Sequence, residues 1–279
     1  MKPHKYLIWF LVLFVVMSSA TPSSAKTYPS NGELNWKGIN WEVRSGTGSP
    51  GNNYWNNEGA WIDDQNRMHL TITNKDGKWQ CTDLKSENKY LYGTYTWKIV
   101  SPVFTYDKIC VVGLFTYLTD KEEIDIEFSR WGYENGDQID YSVQPYGISG
   151  NSKTYKVPAG IDGTNIINTL DWQPEYIRFT SKTAGGQVLS DFTYTNIGGI
   201  PRNPEYLMMN LWLFNGAPSD GKNIELIISD FSYNEDPADI PEVVPEKPEE
   251  TSEPVENKIV ENRKKYRDTK NIVHSYTRR

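Results

Sequence analysis

The chain has little cysteine or histidine: two of the former, Cys81 and Cys110, and three of the latter in 279 residues. That scarcity removes whole classes of chemistry. A structural zinc site needs about four such ligands close together, and no Cys/His cluster exists here. A disulfide scaffold is excluded as well. Whether the two cysteines pair is open, since a bridge needs Cα atoms within about 7 Å and spacing does not reveal that. There is no surplus of positive charge: 29 Lys/Arg face 36 Asp/Glu, for a net charge of -7. That balance excludes a general nucleic-acid binder, which needs a basic face. Convincing helical periodicity is absent throughout. Long apolar runs are also missing, apart from residues 6–17. That run follows Lys2, His4 and Lys5 and leads into small residues ending at Ala25. This order reads as a secretory signal peptide over residues 1–25, too short for the roughly 20 apolar residues that span a bilayer. The expected location is secreted and extracellular.

What the chain has in abundance is aromatic and turn-forming residues, with 10 Trp, 18 Tyr and 21 Gly. Residues 68–73 alternate in strand fashion and end in the turn Asn74-Lys75-Asp76-Gly77. Residues 92–100 are aromatic and β-branched, and residues 109–117 read as a strand buried on both faces. Residues 122–128 alternate strictly. Residues 139–144, 172–180, 206–214 and 224–233 are further strand candidates. Many short strands between turns predict an all-β fold, a jelly-roll sandwich of two antiparallel sheets, over residues 26–234. The composition then changes. Residues 235–256 hold five prolines and nine acids against one lysine, which predicts an extended linker. Residues 257–279 hold eight Lys/Arg against two acids, a disordered tail able to contact an anionic surface.

The informative stretch is Glu123-Ile124-Asp125-Ile126-Glu127. Alternate side chains of a strand share a face, so the three acids point one way and the isoleucines the other. Three acids on one face repel each other, and repulsion raises the proton affinity of at least one. A protonated carboxyl beside an ionised one is what glycoside hydrolysis requires. Cα atoms four residues apart in a strand are roughly 13 Å apart. A retaining pair needs carboxyls about 5–5.5 Å apart, so two long Glu side chains must lean together over a shorter Asp. In a chain with 36 acids such a triplet is common by chance; its apolar context and aromatic surroundings are what single it out.

These residues resemble glycoside hydrolase family 16, and within it the bacterial lichenases. The motifs that carry the resemblance run in order over residues 36–233. They are Tyr90-Leu91-Tyr92-Gly93-Thr94-Tyr95 as a strand before the active-site region, Phe115-Thr116-Tyr117 lining the cleft, and Glu123-Ile124-Asp125-Ile126-Glu127-Phe128 as the catalytic motif. Asp171-Trp172-Gln173-Pro174-Glu175-Tyr176-Ile177 and Met208-Met209-Asn210-Leu211-Trp212 follow. The resemblance implies a concanavalin-like jelly roll with a groove across its concave sheet. It implies Glu123 as nucleophile, Glu127 as acid/base and Asp125 as their assistant. No cofactor is implied, but some relatives bind a structural calcium, and Asp230 aligns with one of its ligands.

Sugar grooves combine aromatic platforms with a few polar anchors. Phe115, Tyr117, Tyr146, Asn210 and Trp212 are the substrate-binding candidates, with Trp131 a lesser one; Trp97 and Trp172 are assigned to the core. The chain departs from the lichenases in Lys121-Glu122 before the motif, in Asp83 and Lys85 after Cys81, and in Thr180-Ser181-Lys182 after the Trp-Gln-Pro segment. The expected partner is a polysaccharide, held by a monomer. The expected activity is hydrolysis of mixed-linkage or β-1,3-glucan. A non-catalytic carbohydrate-binding sandwich and a transglycosylase are the alternatives, and a galactan is the remaining substrate class.

Overall fold

The computed structural model describes residues 25–236. The leader, except its last residue, the linker from residue 237 onward and the basic tail lie outside the described residues.

The described chain is built from strands joined by turns. In chain order they are β1 (Glu33–Trp36), β2 (Ile39–Val43), β3 (Gly46–Gly48), β4 (Asn53–Trp55), β5 (Ala60–Ile62), β6 (Met68–Lys75), β7 (Lys78–Tyr90), β8 (Gly93–Ile99) and β9 (Cys110–Thr119). Then follow β10 (Glu122–Phe128), β11 (Ile139–Val143), β12 (Ser152–Tyr155), β13 (Ile166–Trp172), β14 (Ile177–Thr183), β15 (Val188–Tyr194), β16 (Glu205–Leu213) and β17 (Ile224–Glu235). Two antiparallel sheets result. One runs β1-β2-β7-β16-β9-β10-β11-β12. The other runs β5-β6-β17-β8-β13-β14-β15. The β6–β7 hairpin, turning at Asp76 and Gly77, leads from the second sheet to the first. This is the expected jelly-roll sandwich.

The core lies between the sheets. β10 and β11 contribute Ile124, Ile126, Phe128, Tyr141 and Val143; the opposite sheet contributes Tyr95, Trp97, Leu170, Trp172 and Phe179. Trp97 and Trp172 are fully buried, as assigned. Burying one such large side chain stabilises the fold by roughly 1.5–3 kcal/mol. A polar tie also crosses the core. The Tyr141 hydroxyl lies 2.7 Å from Ser181 Oγ and 2.6 Å from Ser190 Oγ, and Ser181 donates to Asn168 at 2.8 Å. Ser181 is one of the residues that departs from the lichenase pattern. Here it anchors the strand beside the acid strand to the opposite sheet.

Two segments differ from expectation. Residues 172–180 are not one strand. β13 ends at Trp172, Gln173 N–H bonds back to Tyr176 O at 2.8 Å, and β14 begins at Ile177. Pro174 has no N–H to give a ladder, so a turn forms there. The Tyr90–Tyr95 segment is likewise broken: the chain leaves one sheet at Tyr90 and enters the other at Gly93. Gly93 has φ +149°, and a Cβ there would sit 2.4 Å from Asn234 O, so only glycine fits. Cys81 and Cys110 are separate buried thiols. Burial pushes the Cys81 thiol up to about 12.

Candidate active site

The register of the first sheet assembles the site. Because side chains alternate, Glu123, Asp125 and Glu127 share the face away from the core. Glu123 aligns with Tyr117 of β9, Asp125 with Phe115 and Glu127 with Gly113. One strand further, Tyr117, Phe115 and Gly113 align with Tyr206, Met208 and Asn210 of β16. On the other side, Asp125 and Glu127 align with Ser142 and Asp140 of β11. Three rows of side chains therefore cross the strands on one face, and each row passes through one acid of the motif.

The acids differ in burial. Glu123 and Glu127 are half-buried, whereas Asp125 is buried. Ser142 Oγ and Gln144 Nε2 both donate to Asp125 Oδ2 at 2.8 Å. Two donors on one oxygen suit an ionised carboxylate, which can only accept. Gln144 is itself fixed, its Oε1 accepting from Tyr146 N–H at 2.7 Å and its own N–H donating to Glu123 O at 3.0 Å. Through Gln144, half-buried Tyr146 is tied to the acid strand.

Phe115, Tyr117 and Met208 form a small apolar cluster, separate from the main core, against Tyr206. Tyr117 donates its hydroxyl to Asp120 at 3.0 Å. Asn210 is buried over Gly113, and a Cβ at position 113 would come within 2.4 Å of Asn210 Oδ1. Gly113 thus clears the space that lets Asn210 reach the face beside Glu127. Trp212 shares this face but is only 3% exposed. Trp131, 6.1 Å away centroid to centroid, and Phe214, at 6.5 Å, cover it. Trp131, held in a left-handed turn at φ 51°, keeps the open surface of this cluster. Of the two tryptophans, the lesser candidate is the better-placed platform.

Sequence reasoning missed Ser142, Gln144, Asp140, Gly113, Met208 and Tyr206. The alternation of Asp140, Ser142 and Gln144 with apolar neighbours was visible, but not the strand they face. The two departures after Cys81 also lie on this face. Asp83 meets Arg44 at 3.3 Å, and Arg44 lies over Trp55. Lys85 pairs with Glu42 at 2.6 Å, and its ammonium lies 5.3 Å from the Tyr206 ring centroid, with that of Lys89 at 5.0 Å.

Asp230 does not fit calcium. Lys37 and Lys98 each approach its carboxylate at 2.9 Å, so two ammonium groups stand where a cation would have to bind. Burial opposes ionisation of Asp230, but hydrogen bonds from Lys37 and Lys98 outweigh it and hold the carboxyl below its usual range. Among the described residues, no group of three Asp, Glu, His or Cys side chains could hold a metal. One acid lies on the opposite face. Glu205 is fully buried at the start of β16, and burial pushes its carboxyl up to about 8. The Thr116 hydroxyl nearby favours ionisation, but neither Glu205 oxygen has a hydrogen bond of normal geometry.

This architecture is shared with known proteins. The β-glucanase of Bacillus licheniformis superposes with a TM-score of 0.56 at 25% identity, over 77% of this chain and all of that one. A prokaryotic β-1,3-1,4-glucanase (lichenase) from a mouse hindgut metagenome gives 0.54 at 21%, over 76% of this chain and 99% of that one. A β-1,3-glucanase from Mycobacterium marinum gives 0.54 at 16%, over 74% and 91%. No curated protein matches the chain in sequence. The profile of glycosyl hydrolases family 16 matches residues 49–225, a span that contains the acid strand, its two neighbours and β16. The chain therefore belongs to glycosyl hydrolases family 16 and is a glycosidase acting on O-glycosyl bonds.

Proposed function

We propose that this glycosidase is an endo-acting, retaining β-glucanase whose substrate is mixed-linkage β-1,3-1,4-glucan or β-1,3-glucan. One observation carries the reading. Two half-buried glutamates flank a buried aspartate on one face of β10, and two donors hold that aspartate. The β-glucanase names of the similar structures support a glucan.

Glu127, as general acid, gives a proton to the oxygen of the leaving sugar. Glu123, as carboxylate, attacks the anomeric carbon and forms a glycosyl ester. Glu127, now ionised, takes a proton from water, which attacks the same carbon and releases Glu123. Asp125, fixed by Ser142 and Gln144, lies between the two glutamates on their face of β10. Half-buried Tyr146 and Trp131 offer ring surfaces to the apolar faces of the sugars, buried Phe115 and Tyr117 line the floor of the row, and Asn210 supplies a polar group beside Glu127. The leader-like residues 1–25 support export, and the basic residues 257–279 would dock on an anionic surface.

The test is reducing-end release from barley β-glucan, laminarin and agarose, with Glu123→Gln as control. Cleavage of one glucan, lost in the control, supports the proposal. Saturable binding that survives Glu123→Gln, with no cleavage, would replace it with a binding module.

A further inference from the structure

A cavity of about 700 Å³ opens between the N-terminal segment, the turn before β5, and strands β6 and β7. It shares no residue with the three rows around the acids. Its size falls within the roughly 300–1,000 Å³ of ligand sites. Two rings, Tyr28 and Trp61, stand on one side, and Asn31, Asn57, Glu58 and Thr73 contribute to the polar remainder.

The rings are held in place. Thr27 exchanges two backbone hydrogen bonds with Ile62, at 2.8 and 2.9 Å, which pins Tyr28 beside Trp61 with centroids 6.4 Å apart. Tyr28 is 50% exposed. One face of Trp61 stacks on His69 at 3.7 Å. His69 is buried, with Nδ1 3.0 Å from Glu225 Oε1 and Nε2 3.2 Å from Asp63 Oδ2, and Asp63 accepts from Arg67 Nε at 2.6 Å. Buried His69 and Asp63, tied to Glu225 and Arg67 nearer the surface, thus fix the back of this tryptophan. The outer face meets the ammonium of Lys26, 3.7 Å from the centroid, on an exposed flexible side chain that can swing aside.

The polar wall is arranged as well. Asn56 Nδ2 donates to Gln80 Oε1 at 3.0 Å, Asn56 Oδ1 accepts from Glu58 N–H at 3.0 Å, and Thr71 Oγ donates to Gly59 O at 3.0 Å. These bonds hold the turn that presents Asn57 and Glu58. Fixing the N-terminal segment accounts for the contacts of Lys26 and Thr27. It does not account for a cavity walled by amides and hydroxyls.

From this juxtaposition of fixed rings and polar groups we infer a second glycan-binding site, separate from the catalytic groove, that holds a remote stretch of the polymer being cleaved. A pyranose offers an apolar face to Tyr28 and Trp61 and hydroxyls to amides and a carboxylate. Glu58 and Lys75 bring opposite charges to the lining, and the remaining polar groups there are uncharged amides and hydroxyls. The inference rests on the glucanase reading above.

The full chain carrying Glu123→Gln is run in native gels cast with barley β-glucan or laminarin, alone and with Tyr28→Ala/Asn57→Ala or, separately, Thr73→Trp to fill the cavity. Both additions should weaken retardation about fivefold, the size expected for one lost ring–sugar contact. In the active enzyme they should raise KM for the polymer similarly, yet leave turnover of laminarihexaose or a mixed-linkage hexasaccharide unchanged. Equal retardation with and without the additions would overturn the second site while cleavage stands. A protein that neither cleaves nor is retarded by either glucan would overturn both readings.

Discussion

Glu205 should make the stability of this fold fall as pH rises through neutrality. Its carboxyl titrates at 4.5 in an unfolded chain and at about 8 in the fold, because burial penalises the charged form. Between those values the folded state keeps a proton that the unfolded state has released. Unfolding is then favoured by rising pH. The stabilising contribution is complete below pH 4.5, shrinks as pH climbs, and is gone above about 8. The gap is about 3.5 pH units, from 4.5 to about 8, and at about 1.36 kcal/mol per unit the loss is about 5 kcal/mol. Glu205 is fully buried, so solvent screening does not reduce that figure. Against a typical total of about 5–15 kcal/mol, it would make the protein alkali-labile. Glu205→Gln removes the titration while keeping the shape. Urea unfolding, followed by tryptophan fluorescence at pH 5, 6.5 and 8, should show the parent losing stability relative to the variant at each step. Other titrating groups are common to both proteins and cancel in the difference. Parallel pH profiles would refute the reasoning and imply that Glu205 is solvated or paired through water.

Gly113→Ala should lower kcat/KM at least about tenfold while the protein still folds, because the new methyl would sit 2.4 Å from Asn210 Oδ1 and displace it from its place beside Glu127; unaltered kinetics would show that Asn210 takes no part. Tyr141→Phe should cost about 1–2 kcal/mol in urea unfolding, since Ser181 and Ser190 lose the hydroxyl that joins the sheets. Thermal unfolding should be the same with EDTA or millimolar calcium, since lysines occupy the surroundings of Asp230; a calcium-dependent rise in Tm would contradict this. Asp125→Asn should slow glucan cleavage by about two orders of magnitude with little change in KM, as the charge between the glutamates is lost.

The acid strand was legible because a strand's period of two survives any context. Residues 123–128 write carboxylate and apolar residues in strict alternation, and the two faces followed from that. Phe115 and Tyr117 came from the family resemblance instead, since their strand is apolar on both faces and shows no alternation. β7 was not legible. Its thirteen residues place charges and small polar groups on both faces, because it pairs with β4 and β6 at one end and within the first sheet at the other. A strand serving two neighbourhoods leaves no clean alternation to read.

The remaining misses share a cause: each depends on a contact between residues far apart in the chain. Asp230 resembles a lone calcium ligand until Lys37 and Lys98 are brought to it by strand pairing and by a turn. Trp212 looks like a sugar platform until the left-handed turn at Trp131 folds a second indole over it. Ser142 and Gln144 are unremarkable in sequence, and only the register that sets Asp125 opposite Ser142 makes them its hydrogen-bond donors. Local pattern thus identifies which side chains share a face, and the pairing of strands decides which of them touch. In a glycosidase of this architecture the chemistry lies in the first and the tuning in the second. On the proposed reading, replacing Glu123 or Glu127 on β10 should therefore abolish cleavage, whereas substitutions on β11 and β16 should shift its rate and its choice of sugar.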